Sequence, residues 1–410
     1  MVQYRDVKPS ETNDLVDLIN YAFGLQAQRS LAKAYAETGD VLPSRHKVAV
    51  DETTGRLLAA VGIYPQDITV GDRTIHAVFL GCVCVHPRHR GEGHMRKLID
   101  LWHGELQRDG RTDIMVLWGL RHRYAHFGYS PCGWNQTYSV NESDVKHALA
   151  GADATGITFR PMFTRDGDAE LVVRLNDSRL VHAERPLNVI ERIGSYLGSE
   201  SIAIDRNNNT IGYLVRAAGD HADVRELALA DPADAGAVSK AYLAALKPCG
   251  KHAIAVKVAP YEAELNARFA AFAEDMTANT VCRANIFNYA NVLEAWLPVA
   301  ARLWRLEPGR LSLVLDGQPV TVTVRDGAAG VAASDTRNAL DAHDAVDSRA
   351  QVGAQTVTVE RAADPDAPQL NKTDAQDLIM GTAARYRRDL PVAPAGWFPL
   401  PMSWYWPDLN

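Results

Sequence analysis

Apolar positions in the first 140 residues alternate between helical spacing and strand-like runs, the pattern of a mixed α/β segment. After Pro9, Ser10 stands as an N-cap ahead of Leu15, Leu18, Ile19, Ala22 and Phe23, which recur on one helical face, and Gly24 marks the stop. An Ala-rich stretch from Gln26 to Glu37 predicts a second helix. Lys47 to Val50 and Leu57 to Tyr64, joined by the turn Asp51 to Gly55, predict a hairpin. Further on, Ala77 to Val85 and Ile114 to Trp118 read as buried strands. Between them a helix from Met95 to Arg108 gathers Met95, Leu98, Ile99, Trp102 and Leu106 on one face. Strand, helix, strand with short links is a βαβ unit.

From Asn141 to Gly156 the chain turns polar and rich in Ala and Gly without periodicity, which places a boundary there. A second α/β unit follows from Ile157 to about residue 285, with strand-like runs Ser201 to Asp205 and Thr210 to Arg216 around the turn Asn207 to Asn209. A third opens on an amphipathic helix carrying Ile286, Tyr289, Leu293, Trp296, Leu297, Ala300, Leu303 and Trp304. Leu311, Leu313 and Leu315, the turn Asp316-Gly317, then Val320, Val322 and Val324 form a half-buried hairpin, so this unit is α+β. The expected domains are 1–145, 146–285 and 286–410. The last residues gather Trp397, Phe398, Trp404, Tyr405 and Trp406; so aromatic a terminus is expected to dock on the protein, carrying the Asn410 carboxylate with it, although plain core packing explains the aromatics equally well.

A length of 410 residues suits two or three domains, and 47% hydrophobic with 23% charged residues is globular composition. The net charge of −7 offers no global attraction to nucleic acid or anionic membrane, so neither partner is expected and any anion site must be local. Met1 to Asp14 is polar and no run of about 18 apolar residues occurs, so a cytoplasmic location is expected. Cys82, Cys84, Cys132, Cys249 and Cys282 form no C-x-x-C pair and leave an odd count, which argues against a disulfide framework or a zinc knuckle. His103, His182, His221 and His252 show no ligand spacing such as H-E-x-x-H, and no metal is expected.

The chemistry-bearing stretch is Val83-Cys84-Val85-His86-Pro87-Arg88-His89-Arg90-Gly91-Glu92-Gly93-His94-Met95-Arg96: a buried strand, a proline stop, R-x-x-G-x-G at Arg88, Gly91 and Gly93, then an amphipathic helix. Three fixed positions arise by chance in about one protein in ten of this length, so the weight comes from context. Glycines let the backbone curl close to a ligand, and the helix N-terminus presents free N–H groups to a phosphate. Arg88, His89, Arg90, His94 and Arg96 add local positive charge. The competing reading is a tight strand-to-helix turn with a solvated basic rim. A Walker A loop is absent and the glycines do not follow the dinucleotide fingerprint, so neither ATP nor NAD is favoured.

With Arg88, Gly91 and Gly93 between strand and helix, the chain resembles the GNAT superfamily of N-acetyltransferases, whose acetyl-CoA loop reads [Q/R]-x-x-G-x-[G/A]. The V-x-V-x-P-x-H-R context and Tyr124-Ala125-His126-Phe127-Gly128-Tyr129 resemble more specifically the Eis (enhanced intracellular survival) family. The resemblance spans the whole chain. It implies a catalytic GNAT domain, a central GNAT-like domain without its own CoA motif, and a sterol-carrier-like α+β domain whose tail reaches the active site. No second R-x-x-G-x-G occurs between residues 160 and 285, as that silent middle requires.

The same resemblance implies that Val83, Cys84 and Val85 line the pantetheine of acetyl-CoA, and that Arg88, Arg90, Gly91, Glu92, Gly93, His94, Met95 and Arg96 surround the pyrophosphate. Family members often carry more arginine where Gly91 and Glu92 stand here, and Glu92 weakens phosphate attraction if it faces the ligand. Tyr124 matches the general acid that protonates the departing thiolate, a role suited to a phenol of ordinary pKa ~10. Packing under the helix is the plainer reading of Tyr124 and still more of Tyr129. The terminal carboxylate of Asn410 matches the base that receives the amine proton, with Asp408 as a second negative charge; family termini commonly end in an aromatic residue, so Asn410 is a departure. Tyr21, Phe23, Tyr35, Trp404 and Asp408 are candidates to line the acceptor pocket.

What the resemblance implies is direct transfer of acetyl to a primary amine of an aminoglycoside or aminocyclitol, including kasugamycin-type compounds, by a homo-oligomer, a hexamer in the family. Polyamine or protein-lysine acetylation is the alternative within the class, and a non-catalytic lipid-binding or scaffold protein the alternative outside it. An acetyl-cysteine route through Cys84, beside the thioester, is a further option, set against the usual packing role of buried strand cysteines.

Overall fold

The computed structural model describes residues 1–24, 45–185, 187, 190, 198–327, 355–405 and 408. In the first segment the elements are β1 (Val2–Asp6), α1 (Thr12–Phe23), β2 (Arg45–Asp51), β3 (Leu57–Val70), β4 (Arg73–Val85), α2 (His94–Asp109), β5 (Ile114–Leu117), α3 (Arg121–Ala125), β6 (Ser130–Asn141) and α4 (Glu142–Lys146). The middle holds β7 (Ile157–Pro161), α5 (Asp168–Asp177), β8 (Val181–Ala183), β9 (Ser199–Arg206), β10 (Asn209–Ala217), β11 (Asp223–Leu229), α6 (Ala235–Leu246), β12 (Ala253–Val258), α7 (Ala263–Ala270) and β13 (Asp275–Ile286). The last segment has α8 (Tyr289–Leu303), β14 (Gly309–Leu315), β15 (Gln318–Arg325), β16 (Thr356–Glu360), β17 (Gln369–Leu370) and α9 (Lys372–Met380).

The βαβ unit forms as its pattern predicts. β4 and β5 run parallel with α2 crossing between them, and Leu98, Ile99, Trp102 and Leu106 are the buried face of that helix. The hairpins at Asn207-Asn208 and Asp316-Gly317 also form, each turning through positive φ as two-residue hairpin loops require. Two helix starts differ from the sequence reading. Ser10 is not the cap of α1: Pro9 opens a short 3-10 turn, and the Glu11 carboxylate accepts the Lys8 N–H at 2.9 Å while paired with Arg5. Ile286 ends β13 instead of opening α8, because the Asn288 side chain accepts the Asn291 N–H and starts the helix beyond it. The helix expected at Gln26 to Glu37 lies outside the described residues.

A thirteen-stranded sheet runs in the order β1-β2-β3-β4-β5-β13-β6-β12-β11-β10-β9-β7, with β8 pairing β3. It crosses the boundaries drawn near 145 and 285 without a break. β13, from the end of the middle segment, inserts antiparallel between β5 and β6, and β6 pairs β12 on its other side. β5 and β6 are thereby each paired on both sides, while β1 and β7 remain the edges of the sheet. The last segment stacks a four-stranded sheet, β16-β15-β14-β17, over α8, and one apolar cluster joins them to the first segment through Ile75, Phe79, Val116, Trp296, Leu313, Val322 and Trp397.

The C-terminal tail docks into this cluster with Trp397, Met402, Trp404 and Tyr405 buried. Gly133 of β6 makes that approach possible. Its φ is 67°, and a Cβ there would stand 2.6 Å from the Met402 carbonyl oxygen, which accepts the Trp134 N–H at 3.0 Å. Beyond Tyr405 the tail is held by charge. Arg185 grips Asp408 with Nε and Nη2 at 2.7 and 2.8 Å, and Glu226 with Nη1 and Nη2 at 2.9 and 3.0 Å. Arg179 donates to Glu226 at 2.6 Å, pairs with Glu262 at 2.8 Å and lies over the Tyr405 ring; the Tyr213 hydroxyl donates to Glu226 at 2.7 Å.

Burial pulls the Glu226 carboxyl upward, but Arg185 and Arg179 outweigh it and hold the group below the usual carboxylate range. A carboxyl lowered in the fold contributes stability above its unfolded pKa and loses it as pH falls through the lowered value. Glu226→Gln therefore should cost about 3–5 kcal/mol near neutrality, because it leaves buried arginines undercompensated. Denaturant unfolding of both proteins across an acid series should show that gap narrowing as pH falls; a gap that stays constant with pH would refute the assignment.

Candidate functional site

The site begins where two parallel strands part. β4 and β5 pair only from Ala77, Val78 and Phe79 to Ile114, Met115 and Val116; β4 then continues to Val85, while β5 stops at Leu117. On its other side β4 carries a bulge: pairing with β3 steps from Gly81–Gly62 to Cys84–Ala60, leaving Cys82 and Val83 opposite Val61. Cys82 takes φ 50°, a strained value for a residue with a Cβ. A bulge beside a strand gap leaves backbone groups without ladder partners, free to bind an extended ligand.

Side chains brace the bulge. The Tyr64 hydroxyl stands 2.7 Å from Cys82 Sγ and 3.1 Å from His46 Nε2. Gly62 leaves the room this needs, since a Cβ there would lie 2.3 Å from His46 Nε2. Burial alone pushes His46 down to about 3, so its ring is neutral. Cys82 and Cys84 both face the α1 side of the sheet, packed with Leu15, Leu18 and Ile19. Burial pushes both thiols up to about 12, more than the Tyr64 hydrogen bond lowers Cys82.

From Val85 the chain passes through a 3-10 turn at Pro87–His89, then Gly91 and Gly93 at φ 87° and 82°, into α2. Nothing lies within 4 Å of a Cβ built on either glycine, so backbone conformation alone demands them. Gly93 is the N-cap and has no side chain to offer the first-turn N–H groups, which stay available to an anion. Arg88 and Arg90 are exposed around this turn, whereas Arg96 lies over the Phe127 ring at 5.3 Å and Met95 packs toward the α2 core. Glu92 turns back on its neighbours, 3.2 Å from His89 Nδ1 and 3.0 Å from His94 Nε2. Its charge is thus engaged by imidazoles, which blunts the repulsion expected toward a phosphate.

Tyr124 sits in α3, directly beyond β5, and is buried. It packs edge-on against Tyr129, and Gly119 makes room for it: a Cβ there would be 2.3 Å from Tyr124 Cε2. Burial raises the phenol above its ordinary value against the pull of Arg123, so it is a proton donor at neutral pH. Among the described residues no group hydrogen-bonds its hydroxyl. The Tyr129 hydroxyl, by contrast, is tied to Met115 Sδ and His103 Nε2, a packing role. The turn joining the two tyrosines is held from the last segment by Gln376, which donates to the Gly128 carbonyl at 2.8 Å and accepts the Ile286 N–H at 2.7 Å.

The acceptor candidates divide. Tyr21 is exposed and stacked on His86 at the end of β4, and Phe23 is exposed nearby in sequence. Trp404 is buried against Trp296 and lines a cavity of about 120 Å³ with Trp118, Asn135, Asn279, Ser403 and Tyr405, at the end of β5. Tyr21 thus sits beside the end of β4 and Trp404 beside the end of β5. Asp408 offers no free charge to a ligand, because both its oxygens bind Arg185. Tyr35 and Asn410 lie outside the described residues. Sequence reasoning missed Trp118, read only as a strand end, and the Tyr64–His46 brace; neither spacing nor composition signals a pair that meets across strands.

Residues 3–132 match the acetyltransferase (GNAT) domain family. No curated protein matches the chain. Among solved structures, a probable N-acyltransferase of unknown function from Enterococcus faecalis is similar at TM-score 0.62 and 14% identity, over 95% of this chain and 93% of that one. A GCN5-related N-acetyltransferase from Kribbella flavida is similar at TM-score 0.55 and 16% identity, over 90% and 86%. Eis1 from Mycobacterium abscessus is similar at TM-score 0.51 and 14% identity, over 78% and 82%. No helix among the described residues is long and apolar enough to cross a membrane. The strand gap, the bulge and the glycine turn therefore lie within the stretch, residues 3–132, that matches the acetyltransferase (GNAT) domain family, in a chain whose fold is similar over nearly its whole length to that of the Enterococcus faecalis protein.

Proposed function

We propose that the chain acetylates a primary amine of an aminoglycoside or aminocyclitol, kasugamycin-type compounds included, with acetyl-CoA as donor. The observation that carries this reading is the parting of β4 from β5 at the Cys82 bulge, continuous with the uncapped N-terminus of α2. Val83 and Val85 would lie along the pantetheine and the Gly91–Gly93 turn would hold the pyrophosphate through backbone N–H groups. The aromatic faces of Tyr21 and Trp118 at the mouths of the gap suit a cationic sugar.

The amine nitrogen attacks the thioester carbon, the carbon–sulfur bond breaks, and Tyr124 gives its phenolic proton to the departing sulfur. In this reading the proton lost by the amine passes to the terminal carboxylate of Asn410. The Cys84 thiol, held protonated by burial, is a poor nucleophile, which favours direct transfer over an acetyl-cysteine route.

Thiol release from acetyl-CoA across aminoglycosides, kasugamycin, spermidine and a lysine peptide tests the reading, with mass spectrometry to count acetyl groups. Rapid single acetylation of an aminoglycoside is the expected result; turnover restricted to spermidine or the peptide would transfer the substrate to the alternative class, and no turnover with no CoA binding would overturn the reading. Tyr124→Phe should lower kcat by about 10²–10⁴-fold with CoA affinity nearly unchanged, as loss of a general acid predicts. Extending the chain past Asn410 should abolish turnover while leaving CoA binding intact; full activity would remove the terminal carboxylate from the mechanism.

A further inference from the structure

We propose that His89, Glu92 and His94 form a three-ligand site for a divalent transition-metal ion of the Zn²⁺ type, on the glycine turn itself and taking no part in the acetyl-transfer steps. The Nδ1 of His89, a carboxylate oxygen of Glu92 and the Nε2 of His94 all lie within 4.8 Å of one another, with Glu92 at 3.2 and 3.0 Å from the two nitrogens. Donors bound to zinc at about 2.0–2.1 Å in tetrahedral array stand about 3.3 Å apart, so small side-chain adjustments suffice to admit an ion. Two imidazoles and one carboxylate are a ligand set suited to zinc and its neighbours rather than to magnesium or calcium, which take oxygen.

An independent feature points the same way. His94 is buried, and its other ring nitrogen, Nδ1, lies 2.8 Å from the Tyr4 hydroxyl, an outer partner of the kind that fixes the tautomer and ring angle of metal-binding histidines. Without an ion, Nε2–H can donate to Glu92 while Nδ1 accepts from Tyr4. With an ion, the Nε2 lone pair turns to the metal, the ring proton moves to Nδ1, and the Tyr4 oxygen accepts it. The hydroxyl serves both states without rearrangement. Glu92 and His89 are partly exposed, so the fourth position opens outward to water or an anion. The H-x-x-E-x-H spacing is not a familiar ligand motif. The positive-φ glycines 91 and 93 on either side of Glu92 fold it into one.

The test uses the full-length chain without a polyhistidine tag, stripped with chelator and titrated with Zn²⁺ against a chromogenic competitor, and with Co²⁺ for its visible spectrum. One equivalent should bind, with a Co²⁺ spectrum of low coordination number. His89→Ala and Glu92→Gln, both at partly exposed side chains and checked for folding by circular dichroism, should each weaken Zn²⁺ by more than about tenfold, and Tyr4→Phe by about tenfold through its outer-partner role. Less than one equivalent bound, or Zn²⁺ affinity unchanged in both ligand variants, would overturn the site. The measurement needs neither acetyl-CoA nor an amine, so it stands or falls apart from the acetyl-transfer reading.

Discussion

The buried ion network at Arg185 is the constraint on which the arrangement of the chain depends. Charges removed from water are costly unless every lone pair and N–H is matched, and here Arg185 spends one edge on Glu226 and another on Asp408, while Arg179 takes up the remainder of Glu226 and reaches Glu262. Glu226 comes from β11, Glu262 from the approach to α7, Asp408 from the tail. Such a network tolerates few alternatives, since shifting any partner strands another in a dry interior. It therefore fixes Asp408 as firmly as aromatic packing fixes Trp397 and Trp404.

That placement matters because the first segment is not closed by itself. β13 arrives from the middle segment to pair with β5 and β6, and Gln376 of α9 holds the turn that carries Tyr124. The position of the buried phenol is thus set by hydrogen bonds from far along the chain. The opening between β4 and β5, in turn, exists because the two strands pair briefly and then diverge, with the Cys82 bulge steering β4 away. Tyr64, His46 and the bare α-carbon of Gly62 hold that bulge.

Much of this architecture is legible from residues alone where the cause is local. The face of Leu98, Ile99, Trp102 and Leu106 reads as α2, the Asp316-Gly317 turn as a hairpin, and the aromatic run from Trp397 as a docked tail. The glycine turn is legible too, because Gly91 and Gly93 are needed for φ that other residues resist. Where reading fails, a competing local interaction decides: Glu11 and Pro9 displace the start of α1 from Ser10, and Asn288 moves the start of α8 past Ile286.

By itself the sequence determined the βαβ unit and the glycine turn before an amphipathic helix, since periodicity and backbone preference are properties of neighbouring residues, whereas Tyr124 as candidate acid rests on the family resemblance. Tertiary structure alone decided that one sheet crosses the expected domain boundaries, that Asp408 is consumed by Arg185, that Glu92 faces two histidines, and that Trp118 meets the tail. Each of these depends on partners brought together by strand order or by burial of charge. Spacing along a chain carries no record of which distant group will supply the matching hydrogen bond.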